Sequence, residues 1–258
     1  MNTSTAVAIR PTVSDGQGVY DADELLYPDS DGKPMSDNTI QYRWIVTIKG
    51  NLDLLYKDRP DVFVAGDLLW YAVKEDSKLR QSPDVLVAVG RPKTDRGSYR
   101  QWEENGVPPQ VVFEILSPGN RVGEMTRKFE FYDRYGVEEY YMYDPKDGDL
   151  SVWMRGSGET GEGENRLRAV NWQDEYVSPI LGTRFVPHMN ADMEIFYPDG
   201  RRFLTLQEMD EARERAEANA QRAEANAQRA EAERDSAVAR AERLALRLRE
   251  LGIDPDGA

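Results

Sequence analysis

The stretch between Pro108 and Pro118 limits the possible folds of this chain most strongly, because an apolar run there encloses a single carboxylate, Glu114. Its apolar residues are Val111, Val112, Phe113, Ile115 and Leu116. A short run of this kind between prolines is typical of a strand that is buried on both faces of a sheet. An unpaired buried carboxylate is costly or takes up a proton, so the sequence predicts a partner for Glu114.

A second apolar strand carries an acid at its start. Asp84 follows Pro83 and precedes the apolar run 85–89. Two carboxylates on neighbouring apolar strands repel each other unless a cation lies between them. The alternative is that one acid faces water at the mouth of its strand while the other pairs with an arginine. The residues of these two strands leave both arrangements open.

Charge and composition exclude several classes of function. The net charge of −14 is not that of a general nucleic-acid binder, so any contact with phosphates needs a local basic patch and a metal ion. The absence of cysteine excludes disulfides and thiolate metal sites, and the single histidine, His188, argues against histidine-based metal sites and catalytic triads. No apolar run approaches the length of a membrane span, so we expect a soluble cytoplasmic protein.

The two acids suggest metal chemistry. Asp84, Glu114 and the backbone carbonyl of Ile115 would form an oxygen-rich site for a hard divalent cation, Mg²⁺ or Mn²⁺. Lys128, on the next predicted helix, could orient or deprotonate a water molecule or stabilise charge in a transition state. No Walker loop, dinucleotide-binding glycine motif or zinc-ligand spacing is found elsewhere in the sequence.

Basic residues near the two acids are candidates for binding phosphates. Four of them lie in the long connection 90–106: Arg91, Lys93, Arg96 and Arg100. Tyr99 and Trp102 in the same connection could stack on bases, although a solvated loop pinned by one aromatic residue is the alternative. Arg121 and Arg127 suit phosphate clamping better than proton transfer, since arginine hardly ever loses its proton.

Periodicity places these residues on elements. Spacings of three and four predict a helix over roughly 38–56 with capping residues at 36–38, and a second helix over roughly 122–135 that ends at Gly136. Gly66-Asp67 between two apolar runs, 62–65 and 68–73, predicts a β-hairpin. Further strands are predicted at 139–145, 150–154 and 166–170, with the run through 185 completing the sheet edge and a final hairpin at 196–203.

The composition changes sharply after Thr205. The heptad Arg-Ala-Glu-Ala-Asn-Ala-Gln stands in tandem at 215–221 and 222–228, and small or apolar residues continue at spacings of three and four to Leu251. This pattern predicts a coiled-coil helix over 206–251 and a homodimer or higher homo-oligomer. A single solvated helix of good alanine propensity is the alternative.

A set of motifs with specific order and spacing carries a family resemblance: Pro83-Asp84, Glu114 to Pro118, Lys128-Phe129 with Tyr132, Gly136-Val137, and Glu139-Tyr140 through Asp144-Pro145. Over roughly 20–205 the chain resembles the Uma-two family, a bacterial group with the restriction-endonuclease-like fold of the PD-(D/E)XK nucleases. The resemblance implies an α/β (α+β) fold, in which helices flank a central mixed β-sheet of α-β-β-β-α-β type, with the long C-terminal coiled-coil helix outside the match.

The same resemblance implies a function. It makes Asp84 and Glu114 catalytic metal ligands of a Mg²⁺-dependent endonuclease acting on DNA. Leu116 stands where the superfamily motif has its lysine, and Lys128 on the following helix would replace that lysine. The alternatives are a catalytically inactive nuclease-fold module that binds and assembles through its coiled-coil tail, and a metal-free acidic scaffold.

Four segments follow from these patterns. We expect a flexible N-terminal arm (1–20), a restriction-endonuclease-like domain (21–205), the heptad-repeat helix (206–251) and a disordered tail (252–258).

Overall fold

The structure is a computed structural model, and it describes residues 12–14, 19–21, 26–32, 36–156 and 165–252. The chain divides after Thr205 into two compact units, each of which is treated separately below. No helix within the described ranges combines the length and the apolar character that crossing a membrane requires.

Two predictions fall largely outside these ranges. Most of the arm at 1–20 is outside them, but two short strands at its end, β1 (Thr12–Ser14) and β2 (Val19–Asp21), pair antiparallel. The predicted disordered tail beyond Gly252 lies outside the described residues, as do residues 157–164.

A six-stranded mixed sheet forms the centre of the first unit. With strands numbered along the chain, its spatial order is β11 (Leu167–Ala169), β10 (Asp149–Arg155), β9 (Glu139–Asp144), β8 (Val111–Ile115), β6 (Val85–Val89) and β3 (Val62–Gly66). All neighbours are antiparallel except β8 and β9, which run parallel. A parallel pair needs a crossover connection, and helix α2 (Val122–Tyr135) supplies it.

Helix α1 (Thr39–Leu55) covers one face of this sheet. Its first turn is capped by Asn38, whose side chain accepts the backbone N–H groups of Ile40 and Gln41 at 3.0 and 2.9 Å. Its apolar face, which includes Trp44 and Ile48, joins the core on the side of the sheet to which the side chain of Phe113 points. The succession α1, β3, β6, β8, α2, β9 therefore confirms the implied α-β-β-β-α-β order of the central layer.

Helix α2 covers the opposite face. Phe131 and Tyr132 pack there against Val112 and the other residues of a second core cluster. The helix ends, as predicted, at Gly136, which adopts the left-handed conformation with φ of 102°. A Cβ at this position would lie 2.9 Å from the ring of Pro108, so only glycine lets the chain turn here toward β9.

The predicted hairpin between 62–65 and 68–73 is wrong. Strand β3 pairs with β6 instead, and Asp67, with φ of 47°, turns the chain away while its N–H donates to the Asp84 carbonyl at 3.2 Å. The second run forms only β4 (Trp70–Tyr71), which lies in a separate sheet between β5 (Arg80–Gln81) and β7 (Tyr99–Arg100).

The prediction that the run through 185 completes the edge of the main sheet is also wrong. Only β11 adds to that edge. The later strands form a third sheet in the order β12 (Tyr176–Val177), β13 (Arg184–His188) and β14 (Ala191–Phe196), which contributes Phe185 and Ile195 to the core beneath α1. The predicted final hairpin is reduced to a single bridge between Phe196 and Arg202.

The second unit is the helix that the heptads predict. Helix α3 (Leu206–Glu250) has 45 residues and, at 1.5 Å per residue, is about 68 Å long. None of its side chains is buried, and Leu244 and Leu251 near its end are among the most exposed leucines of the described chain. Ion pairs between residues four apart, such as Arg213 with Glu217, support the helix locally.

Candidate active site

The two predicted acids meet at one end of neighbouring strands. Val85 of β6 pairs with Phe113 of β8, so Asp84 and Glu114 each stand one residue beyond that pair. Side chains alternate along a strand, which directs both acids to the α2 face of the sheet. Both are buried, with 6% of Asp84 and 2% of Glu114 exposed, so neither faces water at a strand mouth.

Lys128 of α2 reaches this pair. Its Nζ lies 2.7 Å from Oε2 of Glu114, and its side chain is only 15% exposed. Tyr132, one helical turn further on, donates its hydroxyl to the other oxygen, Oε1, at 2.5 Å. Lysine rather than arginine therefore partners Glu114, and α2 brings one cation to two carboxylates.

A glutamine that the sequence analysis did not single out connects the remaining groups. Gln41 of α1 donates its Nε2 to the Ile115 carbonyl at 3.0 Å and also hydrogen bonds to the Asp84 carboxylate. Asp84 in turn accepts the backbone N–H of Ile115 at 2.6 Å. Gln41 thus contacts two of the three predicted metal ligands, and its Oε1 accepts the N–H of Asp37.

The charges at this site are not balanced. Burial, and then the charge of Glu114, raise the pKa of the Asp84 carboxyl to about 8, although Lys128 and the N–H of Ile115 act in the opposite direction. Burial alone would lower the pKa of Lys128, but the charges of Glu114 and Asp84 outweigh it and raise that pKa, which keeps the ammonium protonated. Burial and Glu114 likewise raise the pKa of Tyr132, which remains a hydroxyl donor.

The donor set fits a hard divalent cation. Two carboxylates and one carbonyl are the oxygen ligands that Mg²⁺ takes from proteins, the other positions being filled by water and substrate phosphate. The described residues contain no group of three or more acidic or histidine side chains placed to hold a metal. Binding of a cation by Asp84, Glu114 and the Ile115 carbonyl therefore stays a prediction.

The four bases of the 90–106 connection are engaged within the protein. Arg91 and Arg96 pair with Glu104 at 3.0 and 2.5 Å, and all three side chains are largely buried. Lys93 donates to the carbonyl of Tyr56. Arg100 is 8% exposed and contacts Tyr27, Ser98 and Glu103. Phosphate binding by these four residues stays a prediction.

Arg121 and Arg127 lie in a different setting. Arg121 is the residue before the first turn of α2, and both side chains are exposed. Arg121 also lines a cleft of about 1170 Å³ beside α2, together with Leu116 and Phe129. The two acids are not among the lining residues. The cleft adjoins them, because Leu116 lies two residues after Glu114 and Phe129 directly follows Lys128.

The profile of the Uma2 (Uma-two) family, described as "Putative restriction endonuclease", matches residues 33–179, more than half of the chain. Among solved structures, one described as "a putative nuclease belonging to DUF820" from Anabaena variabilis ATCC 29413 is 14% identical, with a TM-score of 0.40 over 58% of this chain and 78% of that chain. No curated protein sequence matches.

Proposed function

Because this chain belongs to the Uma2 family of restriction-endonuclease-like proteins, we propose that it is a Mg²⁺-dependent endonuclease that hydrolyses DNA phosphodiester bonds. Family membership supports nuclease-type function. The observation that carries the finer proposal is the 2.7 Å contact of Lys128 with Glu114, beside Asp84. Lys128 would thereby replace the lysine of the superfamily motif, whose position in the sequence is occupied by Leu116.

In this proposal Asp84, Glu114 and the Ile115 carbonyl hold Mg²⁺ or Mn²⁺. When bound, such a cation supplies Lewis-acid chemistry that withdraws charge from the phosphodiester and favours ionisation of water. Gln41 orients two of these ligands through its amide, and Tyr132 fixes the rotamer of Glu114 through its hydroxyl.

Lys128 acts as a fixed positive charge. Its raised pKa disfavours proton abstraction, so among the roles considered for it, stabilisation of the negative charge that develops on phosphate is favoured. Helix α2 supports this role, because Tyr132 and Phe131 anchor it in the core and limit the movement of the lysine stem.

The partners follow from the same chemistry. DNA is the proposed substrate, and we propose that Arg121 and Arg127, whose side chains are exposed, contact its phosphates. We also propose that α3 forms a homodimer or higher homo-oligomer through its heptad seam. Deletion of 207–258 should then lower the number of chains per particle, which light scattering measures from the molecular mass. An equal number of chains per particle for the full-length and the truncated protein would exclude the coiled coil.

The test of the function is cleavage of supercoiled plasmid and of a single-stranded DNA circle over a Mg²⁺ and Mn²⁺ titration. The parent should cleave at least one of these DNAs, and only with a divalent ion, whereas Asp84→Ala and Glu114→Gln should cleave neither. Arg59→Gln, at an exposed pair with Asp61 on another part of the surface, serves as control and should cleave like the parent. A parent without cleavage under any of these conditions would favour the inactive binding and assembly module.

A further inference from the structure

The cleft beside α2 has largely apolar walls, which the metal chemistry proposed for the two acids and Lys128 does not require. Its volume is about 1170 Å³, and its walls are largely apolar, with Leu116, Met125, Phe129, Met142 and Trp153 among the lining residues. We infer that this cleft binds unpaired nucleobases, so that single-stranded DNA is the substrate class of the adjoining site. The inference rests on the proposed function and names the form of DNA on which it acts.

The cleft continues directly from the acids. Leu116 lies two residues after Glu114, about 7 Å along an extended chain, and it lines the cleft. Phe129 also lines it and directly follows Lys128 on α2. A strand whose phosphate lies at Glu114 and Lys128 therefore meets the cleft with its neighbouring nucleotides.

The charge of the lining complements a nucleic-acid backbone. Arg121 and Lys146 line the cleft, and Asp144 is the single carboxylate among its described lining residues. One oxygen of Asp144 already accepts the backbone N–H of Lys146 at 2.9 Å. The chain as a whole has a net charge of −14, but this cleft is locally positive, which favours binding of an anionic ligand here.

The apolar surface of the cleft favours bases over other parts of a nucleotide. Val122 is 87% exposed and Ile40 is 49% exposed, and both line it. Trp153 and Phe129 pack against each other with ring centroids 5.7 Å apart and present aromatic surface to the same cleft. Aromatic and apolar walls hold bases by stacking and contact, which is how single strands are bound without sequence preference.

An intact duplex does not expose the faces of its bases to such a cleft. Its bases are stacked on one another, and their accessible edges are polar and require hydrogen-bonding partners in the grooves. Only an unpaired strand can turn its base faces toward Phe129 and Trp153. The geometry therefore matches the unpaired strand better than the duplex.

The experiment measures binding in EDTA by fluorescence anisotropy, using the full chain and three labelled DNAs of equal length. These are an oligothymidylate strand, the corresponding duplex and a strand whose residues are abasic. The oligothymidylate should bind at least about tenfold more tightly than the other two, because only it combines phosphates with free bases.

Two variants locate the binding in the cleft. Met125→Glu and Val122→Glu place a carboxylate against the ligand, and each should weaken oligothymidylate binding by about tenfold. Val122 is so exposed that its substitution leaves the core intact. The matched control is Met189→Glu, at a side chain 88% exposed outside the cleft lining, which should bind like the parent.

Several results would overturn the inference: no binding of oligothymidylate, equal binding of the abasic strand or the duplex, or parent-like binding by both cleft variants. Because no metal is present, these results are independent of hydrolysis. Binding with the predicted pattern but without cleavage in Mg²⁺ would contradict only the proposed function, whereas cleavage of single-stranded DNA by both cleft variants at the parent rate would contradict only the base-binding cleft.

Discussion

Two buried glutamates lie at opposite ends of the parallel pair β8 and β9, and they differ in how their charge is satisfied. Glu139, at the start of β9, accepts three neutral donors: the Tyr141 hydroxyl at 2.8 Å, the Ser178 hydroxyl at 2.5 Å and the Ile180 N–H at 2.8 Å. Glu114, near the end of β8, shares one lysine with Asp84. Both glutamates are almost fully buried.

The comparison separates an acid that joins two parts of the fold from one whose charge is shared with a second acid. The donors around Glu139 come from β9 and from the segment between β12 and β13. Its carboxylate therefore joins that segment of the third sheet to the central sheet by hydrogen bonds. At Glu114 two carboxylates face one ammonium, and a group of that charge is completed by a cation or by a proton. Burial alone does not distinguish the two ends, whereas the donors do: Glu139 accepts from three neutral groups of its own, while Glu114 and Asp84 share one ammonium.

The largest effect is expected at Lys128. Lys128→Ala removes the positive charge beside Glu114, and loss of one such contact to a transition state typically lowers the rate about 10²- to 10³-fold. Single-turnover cleavage at saturating Mg²⁺ measures it, with thermal unfolding as a check on folding. Lys57→Ala, at an exposed lysine beside Asp58, should cleave at the parent rate. Parent-like cleavage by Lys128→Ala would refute the role.

Glu139 should affect stability and leave chemistry unchanged. Glu139→Leu leaves the hydroxyls of Tyr141 and Ser178 and the N–H of Ile180 without their acceptor, which should lower the free energy of unfolding by roughly 2–4 kcal/mol. Urea unfolding measures this change. At temperatures where the variant is folded, its cleavage rate should equal that of the parent, and a lost rate would break the comparison.

Substitution of Asp84 should change stability in the opposite direction from substitution of Glu139. Its pKa is raised from 3.8 to about 8, so the folded state binds more protons than the unfolded state between these values, and stability falls as pH rises through that window. Asp84→Asn removes this titration. In EDTA at pH 8 the variant should be more stable than the parent by roughly 1–3 kcal/mol, with the difference disappearing near pH 4. A less stable variant at pH 8 would show that the charge at Asp84 is already compensated.

The smallest effect is expected at Gln41. Gln41→Leu keeps the size of the side chain but removes the amide that contacts Asp84 and the Ile115 carbonyl, and affinity for Mn²⁺ should fall about tenfold. Gln110→Leu is the matched control, because Gln110 accepts the N–H of Val89 at the other end of the sheet. If both variants bind Mn²⁺ as tightly as the parent, Gln41 serves only to hold α1 against the sheet.

These contrasts explain what the sequence could and could not predict. The helix boundaries followed from local signals, such as the Asn38 cap and Gly136. The two acids followed from carboxylates within apolar runs, Lys128 followed from its place on the next predicted helix, and the family resemblance supported all three. Family membership and the central sheet are confirmed, whereas the metal, the catalytic roles and the coiled coil stay predictions.

The errors have a common physical origin. Gly66-Asp67 has the local chemistry of a hairpin, but β3 pairs with β6, and the carbonyl of Asp84, just before β6, accepts the Asp67 N–H. Gln41 gives no local signal either, since a glutamine in an amphipathic helix is ordinary until the fold brings Ile115 beside it. Sequence patterns over a few residues do not encode such long-range pairings.

The most direct test of the account is calorimetric titration of Mn²⁺ at pH 8, where the proton on Asp84 competes least with the ion. The parent and Glu139→Leu should each bind one Mn²⁺ per chain, Asp84→Asn should bind none, and the parent's affinity should weaken as the pH is lowered from 8 to 6. A parent that binds no ion, or an Asp84→Asn variant that binds it as the parent does, would contradict the claim that a divalent cation completes the charge of Asp84 and Glu114.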